Sequence, residues 1–269
     1  MKFQIDHDYH IHSNLSPCAK DPEQTPQGIL RYAEKNGLKQ ICLTDHFWDT
    51  AVTPALGYLS GTYRNNDLAC IRSALPLPQS ERTAFHFGCE GEMDLSFQIG
   101  ISPAVIKQME FVIIPTTHLH MPKLTVPEEL TLEQRAILYV HRLNALLEAD
   151  LPAGKTGIAH LTCSLMAPKN WPDHLRVLEM IPDTVLTHLF RKVREQDFGV
   201  ELNFPVERYS PEELQTVLRP YFIAKECGCR FYLGSDAHTQ KECEGAPERF
   251  ERMVDSLDLT EENKYRPFT

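Results

Sequence analysis

Two histidines one residue apart, His10 and His12, follow an apolar run near the start of the chain. On an extended backbone, side chains at i and i+2 point to the same side, as two ligands of one metal ion must. Further groups of the same kind each stand just past a short apolar run: His46 in Asp45-His46, Glu90 in Glu90-Gly91-Glu92, His118 in His118-Leu119-His120, then His160, and finally Asp236 and His238. Each has an ordinary explanation alone, since an Asp after a strand caps helices or forms turns and HxH pairs occur at exposed strand ends. Their shared register makes a metal site the better reading. Imidazole with carboxylate suits zinc, manganese or iron, and the lack of a thiolate cluster argues against a closed structural zinc site. Such a site would do hydrolytic chemistry, with a carboxylate such as Glu90 able to bridge two ions. In the second HxH pair His118 is the favoured ligand over His120.

The elements that must position these groups read as a rhythm of strand, loop and helix. Apolar runs cover Phe3 to Tyr9, Gln40 to Thr44, Ala84 to Cys89, Glu110 to Ile114, Thr156 to Ala159, Gly199 to Leu202 and Arg230 to Leu233. Thr25 followed by Pro26 opens a helix that Gly37 stops, and a further helix is expected from Leu132 to Glu148. Ser210-Pro211-Glu212-Glu213 has the spacing of a capping box and opens a helix ending near Gly228. Parallel neighbours need crossover connections, so about seven such units imply a mostly parallel sheet that could close into a barrel. In such folds the reactive groups gather at the carboxyl ends of the strands, which is where the ligand-type residues fall. No repeat, low-complexity block or long linker divides the chain, and residues 1–269 are read as a single domain.

Composition narrows the function classes. A formal net charge of -10 disfavours extended nucleic acid as a partner. No apolar run is long enough to span a bilayer, and the N-terminus lacks an apolar signal core, so a cytoplasmic protein is expected. The eight cysteines are scattered without paired CxxC spacings and read mostly as small core residues, Cys18 excepted. His86, His141, His174 and His188 are expected to be structural or solvated, and His7 to face outward. The oligomeric state is not legible.

The ordered set Asp8-Tyr9-His10-Ile11-His12-Ser13, Leu43-Thr44-Asp45-His46, Gly88-Cys89-Glu90, His118, Ile158-Ala159-His160-Leu161 and Leu233-Gly234-Ser235-Asp236-Ala237-His238 resembles the polymerase and histidinol phosphatase (PHP) family of metal-dependent phosphoesterases, over nearly the whole chain. The resemblance implies an α/β fold, a distorted (β/α)7 TIM-like barrel, holding two or three divalent ions (Zn, Mn or Fe). It places His10, His12, Glu90 and Asp236 on one ion and Glu90, His118 and His160 on a second, with His46 and His238 helping to hold a third. Where relatives often place another histidine this chain reads Ser16-Pro17-Cys18-Ala19-Lys20-Asp21, so Cys18 or Asp21 would replace the imidazole, or the third ion is weakly held or absent. Arg208 and Lys169 are the candidates for holding a substrate phosphate, and Asp236 or His238 for handling protons. The implied activity is hydrolysis of a small phosphorylated metabolite, a phosphomonoester such as histidinol phosphate, by a metal-activated water. A phosphodiesterase or nuclease of the same family, and a non-catalytic metal-binding regulatory module, are the alternatives.

Overall fold

The computed structural model describes residues 1–268. The apolar runs form parallel strands: β1 (His7–Ile11), β2 (Gln40–Leu43), β3 (His46–Phe47), β4 (Ala84–Gly91), β5 (Phe111–Pro115), β6 (Thr156–Ala159), β7 (Gly199–Leu202) and β8 (Arg230–Leu233). Hydrogen bonding runs in the order β1-β2-β4-β5-β6-β7-β8, with the two-residue β3 paired to β4 beside this path. β8 then returns to β1, since Asp236 N–H donates to His10 O at 2.7 Å and His12 N–H to Ala237 O at 3.1 Å. The result is a nearly closed seven-stranded barrel, as expected, with β3 as an addition the sequence did not suggest. Two residues are too few to show the alternation that marks a strand.

The helices between strands are α1 (Pro26–Lys35), α2 (Leu68–Arg72), α3 (Pro103–Ile106), α4 (Leu132–Glu148), α5 (Asp173–Glu179), α6 (Asp183–Glu195) and α7 (Pro211–Glu226), and α8 (Gln240–Glu244) and α9 (Ala246–Ser256) follow β8. Local chemistry fixes the long ones. Thr25 caps α1 with Pro26 behind it, and Gly37 follows at φ 69°, a left-handed conformation that costs glycine little. Thr131 and Gln134 form a capping box on α4, Ser210 and Glu213 another on α7. α4 then buries Ala136, Tyr139, Leu143, Leu146 and Leu147, one face of a 3.6-residue repeat, and packs beside α5 and α6. Among the described residues no helix is long and apolar enough to cross a membrane.

Inside the barrel the aromatic rings of Tyr9, Phe111, Tyr232 and Tyr265 pack together. Two boundaries differ from expectation. β1 extends to Ile11 and β4 to Gly91, so His10 and Glu90 lie within strands and face the interior instead of standing past strand ends. Both are fully buried, a position that their polar partners make tolerable. His7 does not face outward: it is 1% exposed, pairs with Asp6 at 2.8 Å and accepts the Leu233 N–H on Nε2 at 3.0 Å.

Candidate metal centre

The strand ends bring His10, His12, His46, Glu90, His118, His160, Asp236 and His238 to one end of the barrel. Three groups of these offer ligand atoms within 4.8 Å of one another: His10, His12 and Asp236; Glu90, His118 and His160; His12, His46 and His238. Glu90 joins them. Its Oε1 lies 3.1 Å from His160 Nε2, and its Oε2 lies 2.6 Å from His46 Nδ1, 3.5 Å from His12 Nε2 and 3.7 Å from His10 Nε2. Asp236 Oδ1 is 3.1 Å from His12 Nε2 and 3.4 Å from His10 Nε2.

Residues behind the ligands hold most rings by their other nitrogen. His10 Nδ1–H donates to Glu201 at 2.7 Å, and the other Glu201 oxygen accepts the backbone N–H of His160. His12 Nδ1–H donates to Ser16 at 3.0 Å, whose hydroxyl donates to Asp45 at 2.6 Å. His118 Nδ1–H donates to Glu92 at 2.6 Å, and Glu92 is paired with the buried Arg142 at 2.8 Å. His160 Nδ1 pairs with Thr117 Oγ1 at 2.7 Å. Fixing one imidazole nitrogen in this way selects the tautomer that presents the other to a metal.

The residues fit divalent ions by a further observation. His238 Nε2 is a buried atom with no hydrogen-bond partner, and His46 Nδ1 and Glu90 Oε2, buried and 2.6 Å apart, face each other without hydrogen-bond geometry. Unsatisfied buried polar atoms are costly, and convergent lone pairs are what a cation would satisfy. His160 and Asp236 also adopt positive φ, 26° and 51°, which non-glycine residues reach at about 1–3 kcal/mol each and which clusters at functional sites.

The charges of the cluster are strongly coupled. Burial alone would raise the Glu90 carboxyl, yet the neighbouring His46 and His10 hold it well below the usual range, and His10 with His12 and His238 does the same for Asp236. Burial works against charge on His10, but Glu201, Asp236 and Glu90 outweigh it and raise His10 well above the ordinary value. His12 moves the other way, lowered by burial and by His238 and His46. Glu90 and Asp236 are therefore held as carboxylates beside a positively charged His10, a charge that divalent ions would replace on binding.

Two cavities open from the centre. One, of about 330 Å³, is bordered by His160 and Asp236 and continues past Asn203, Arg208, Arg249 and Trp171. The other, of about 230 Å³, is lined by Cys18, His46, Glu90, His118, His120 and His238, among others. Arg208 lies over the Trp171 ring at 6.0 Å in the first cavity. Lys169 is not brought to the centre: it pairs with Glu129 at 2.6 Å, both side chains are largely exposed, and it lines neither cavity. Cys18 is exposed as a residue and lines the second cavity together with His46 and His238. Asp21 stays outside, its carboxylate oxygens accepting the N–H groups of Glu23 and Gln240 at 2.9 Å each.

The sequence reading missed Glu201, Arg142, Ser16, Thr117 and Arg249. A lone acidic residue inside the apolar run Gly199-Val200-Glu201-Leu202 was the available signal for Glu201. Nothing local distinguishes Arg142 from the exposed arginines of other helices.

No family model matches the sequence, and no curated protein matches it. Among solved structures the chain is similar to histidinol phosphate phosphatase from Lactococcus lactis subsp. lactis, complexed with zinc, L-histidinol and phosphate. The TM-score is 0.64 at 18% identity, over 94% of each chain. Weaker likenesses are to an uncharacterised protein (TM-score 0.40, 10% identity, 94% of this chain and 69% of that one) and to N-isopropylammelide isopropylaminohydrolase from Burkholderia multivorans (0.38, 13%, 93% and 68%), both too distant to support a shared fold. The first likeness establishes the fold, and it is the barrel expected from the motifs.

Proposed function

We propose that the chain is a metal-dependent phosphoric monoester hydrolase acting on a small phosphorylated metabolite, with histidinol phosphate the first substrate to test. The observation that carries this reading is the convergence of three ligand groups on Glu90 beside a cavity sized for a small molecule. The structural neighbour, a phosphatase with zinc and phosphate bound, supports it from outside.

In this reading His10, His12, Glu90 and Asp236 hold one ion, Glu90, His118 and His160 a second, and His46 and His238 border a third. Bound there, divalent ions would acidify a water and polarise the phosphoryl oxygens. The chain's own residues do the rest. Arg208 and Arg249 line the cavity that His160 and Asp236 border, where guanidinium groups can hold a phosphate by paired N–H bonds. Trp171 and Tyr209, stacked with centroids 5.4 Å apart, form a wall of the same cavity and shield the organic part of the substrate from water. Asp236 and His238, the candidates for proton handling, each place an atom in a ligand group, and a group that holds an ion is not free to act as a base.

The cavity and the acidic surface both disfavour a polynucleotide substrate, which keeps nuclease activity the second reading. Initial rates on p-nitrophenyl phosphate, bis-p-nitrophenyl phosphate and histidinol phosphate, with added zinc or manganese, separate the alternatives. Monoester turnover is expected. Diester turnover alone would move the assignment to a phosphodiesterase, and bound metal without turnover on any ester to a regulatory module.

A further inference from the structure

Trp171 and Tyr209 reach the first cavity from different loops, one between β6 and α5 and the other between β7 and α7. His174 joins them. It sits in the first turn of α5, fully buried, with its Nδ1 against the Trp171 carbonyl and its Nε2 3.2 Å from the Tyr209 hydroxyl. A carbonyl only accepts, so Nδ1 carries the hydrogen; in a neutral ring Nε2 is then an acceptor, and the Tyr209 O–H donates to it. Burial lowers the His174 pKa and so favours this neutral form. The Tyr209 hydroxyl is thereby committed to His174, and what Tyr209 offers the cavity is its ring. The His174 ring also packs edge-on to Trp171, centroids 5.1 Å apart, behind the stacked Trp171 and Tyr209 pair.

We infer that His174 is a positioning residue that latches the two loops together and thereby selects phosphate esters by their organic group, without touching the phosphate. The inference rests on the phosphatase reading above and adds a determinant for the part of the substrate remote from phosphorus. Without the latch the Trp171 carbonyl and the Tyr209 hydroxyl lose a shared partner, and the two rings must be ordered at the expense of ester binding. The phosphate end has supports of its own: the Arg208 N–H donates to Pro205 O at 2.9 Å, and the Arg249 guanidinium donates to Glu242 O at 3.1 Å.

The test compares KM for p-nitrophenyl phosphate, which carries a ring, with the inhibition constant of inorganic phosphate, which has no organic group, in the zinc-loaded enzyme. His174→Leu should raise KM about ten-fold and the phosphate constant by less than about two-fold. Tyr209→Phe keeps the ring and removes only the O–H; it should raise the ratio of KM to the phosphate constant by a smaller factor, and it decides the matter alone if the buried substitution unfolds the chain. Added to His174→Leu it should change nothing more, because the acceptor is already gone. Acrylamide quenching reads the latch without turnover. Trp48 is 1% exposed and Trp171 39%, so the accessible emission belongs to Trp171, and His174→Leu should increase its quenching. KM and the phosphate constant rising together, additive effects of the two substitutions, an unchanged ratio in Tyr209→Phe, or unchanged quenching in His174→Leu would each overturn the assignment. A wild-type protein without turnover counts against the phosphatase reading, and the latch then stands or falls on the quenching.

Discussion

Glu201 Oε1 sits 2.7 Å from His10 Nδ1 while its other oxygen accepts the His160 backbone N–H, so one buried carboxylate in β7 sets residues of two different ligand groups. It makes no direct contact with the ligand nitrogens that face the centre; its influence passes through ring orientation and tautomer. Glu201→Gln keeps the shape but removes the charge. We expect metal affinity to fall about 10- to 100-fold, read by chelator competition, with the fold retained by circular dichroism.

Gly234, at the end of β8, is required by the same contact. A Cβ there would fall on Glu201 Oε1 and 2.7 Å from His10 Cβ, and Glu201 is tethered at both oxygens and cannot swing aside. Gly234→Ala should therefore cost about 1–3 kcal/mol in denaturant unfolding and weaken metal binding as well.

Arg142 is fully buried on α4, donating to Glu92 at 2.8 Å and to the carbonyls of Met93, Pro115 and Thr116. Arg142→Met would leave the Glu92 carboxylate buried without its ion-pair partner and three carbonyls unsatisfied. Breaking such a pair costs about 3–5 kcal/mol, and urea unfolding should show it. His118, held by Glu92 at 2.6 Å, should lose metal affinity in the same variant.

Acid sensitivity has a source far from the metal centre. Burial tends to raise the Asp6 carboxyl, but hydrogen bonds and charge from His7 and Lys264 win and lower it to about 2. A depressed folded value means stability that is fully present above the unfolded value of 3.8 and is lost as pH falls through about 2. Asp6 keeps a third of its side chain exposed, so solvent screening trims the contribution to about 1–2 kcal/mol. Asp6→Asn should lower stability at pH 6 and flatten its fall between pH 4 and pH 2, as seen in denaturant midpoints across that range.

The candidate ligand residues were legible because each carries a side chain of distinctive chemistry at the end of an apolar run, and the runs at Thr156–Ala159, Gly199–Leu202 and Arg230–Leu233 match strands β6, β7 and β8. The supporting residues were not. Glu201, Arg142 and Thr117 acquire their roles only when sequence-distant elements meet, as with the 191 positions between His10 and Glu201. β3 escaped notice because its pairing with β4, not its own pattern, defines it. The engagement of Asp21 away from the centre was equally invisible, since Gln240, whose N–H it accepts, is 219 positions away. Lys169 looked like a phosphate ligand from its place after His160, but the loop turns it outward to Glu129.

The central claim is that metals held at Glu90 and its neighbours hydrolyse a phosphomonoester, and the most direct test measures metal content and turnover on the same preparation. We predict two or three divalent ions per chain, a rate on histidinol phosphate or p-nitrophenyl phosphate that is lost on chelation and restored by zinc or manganese, and loss of both ions and rate in His10→Ala and Asp236→Ala. A chelated protein that still turns over the monoester, or a His10→Ala variant with full metal content and full rate, would contradict the account.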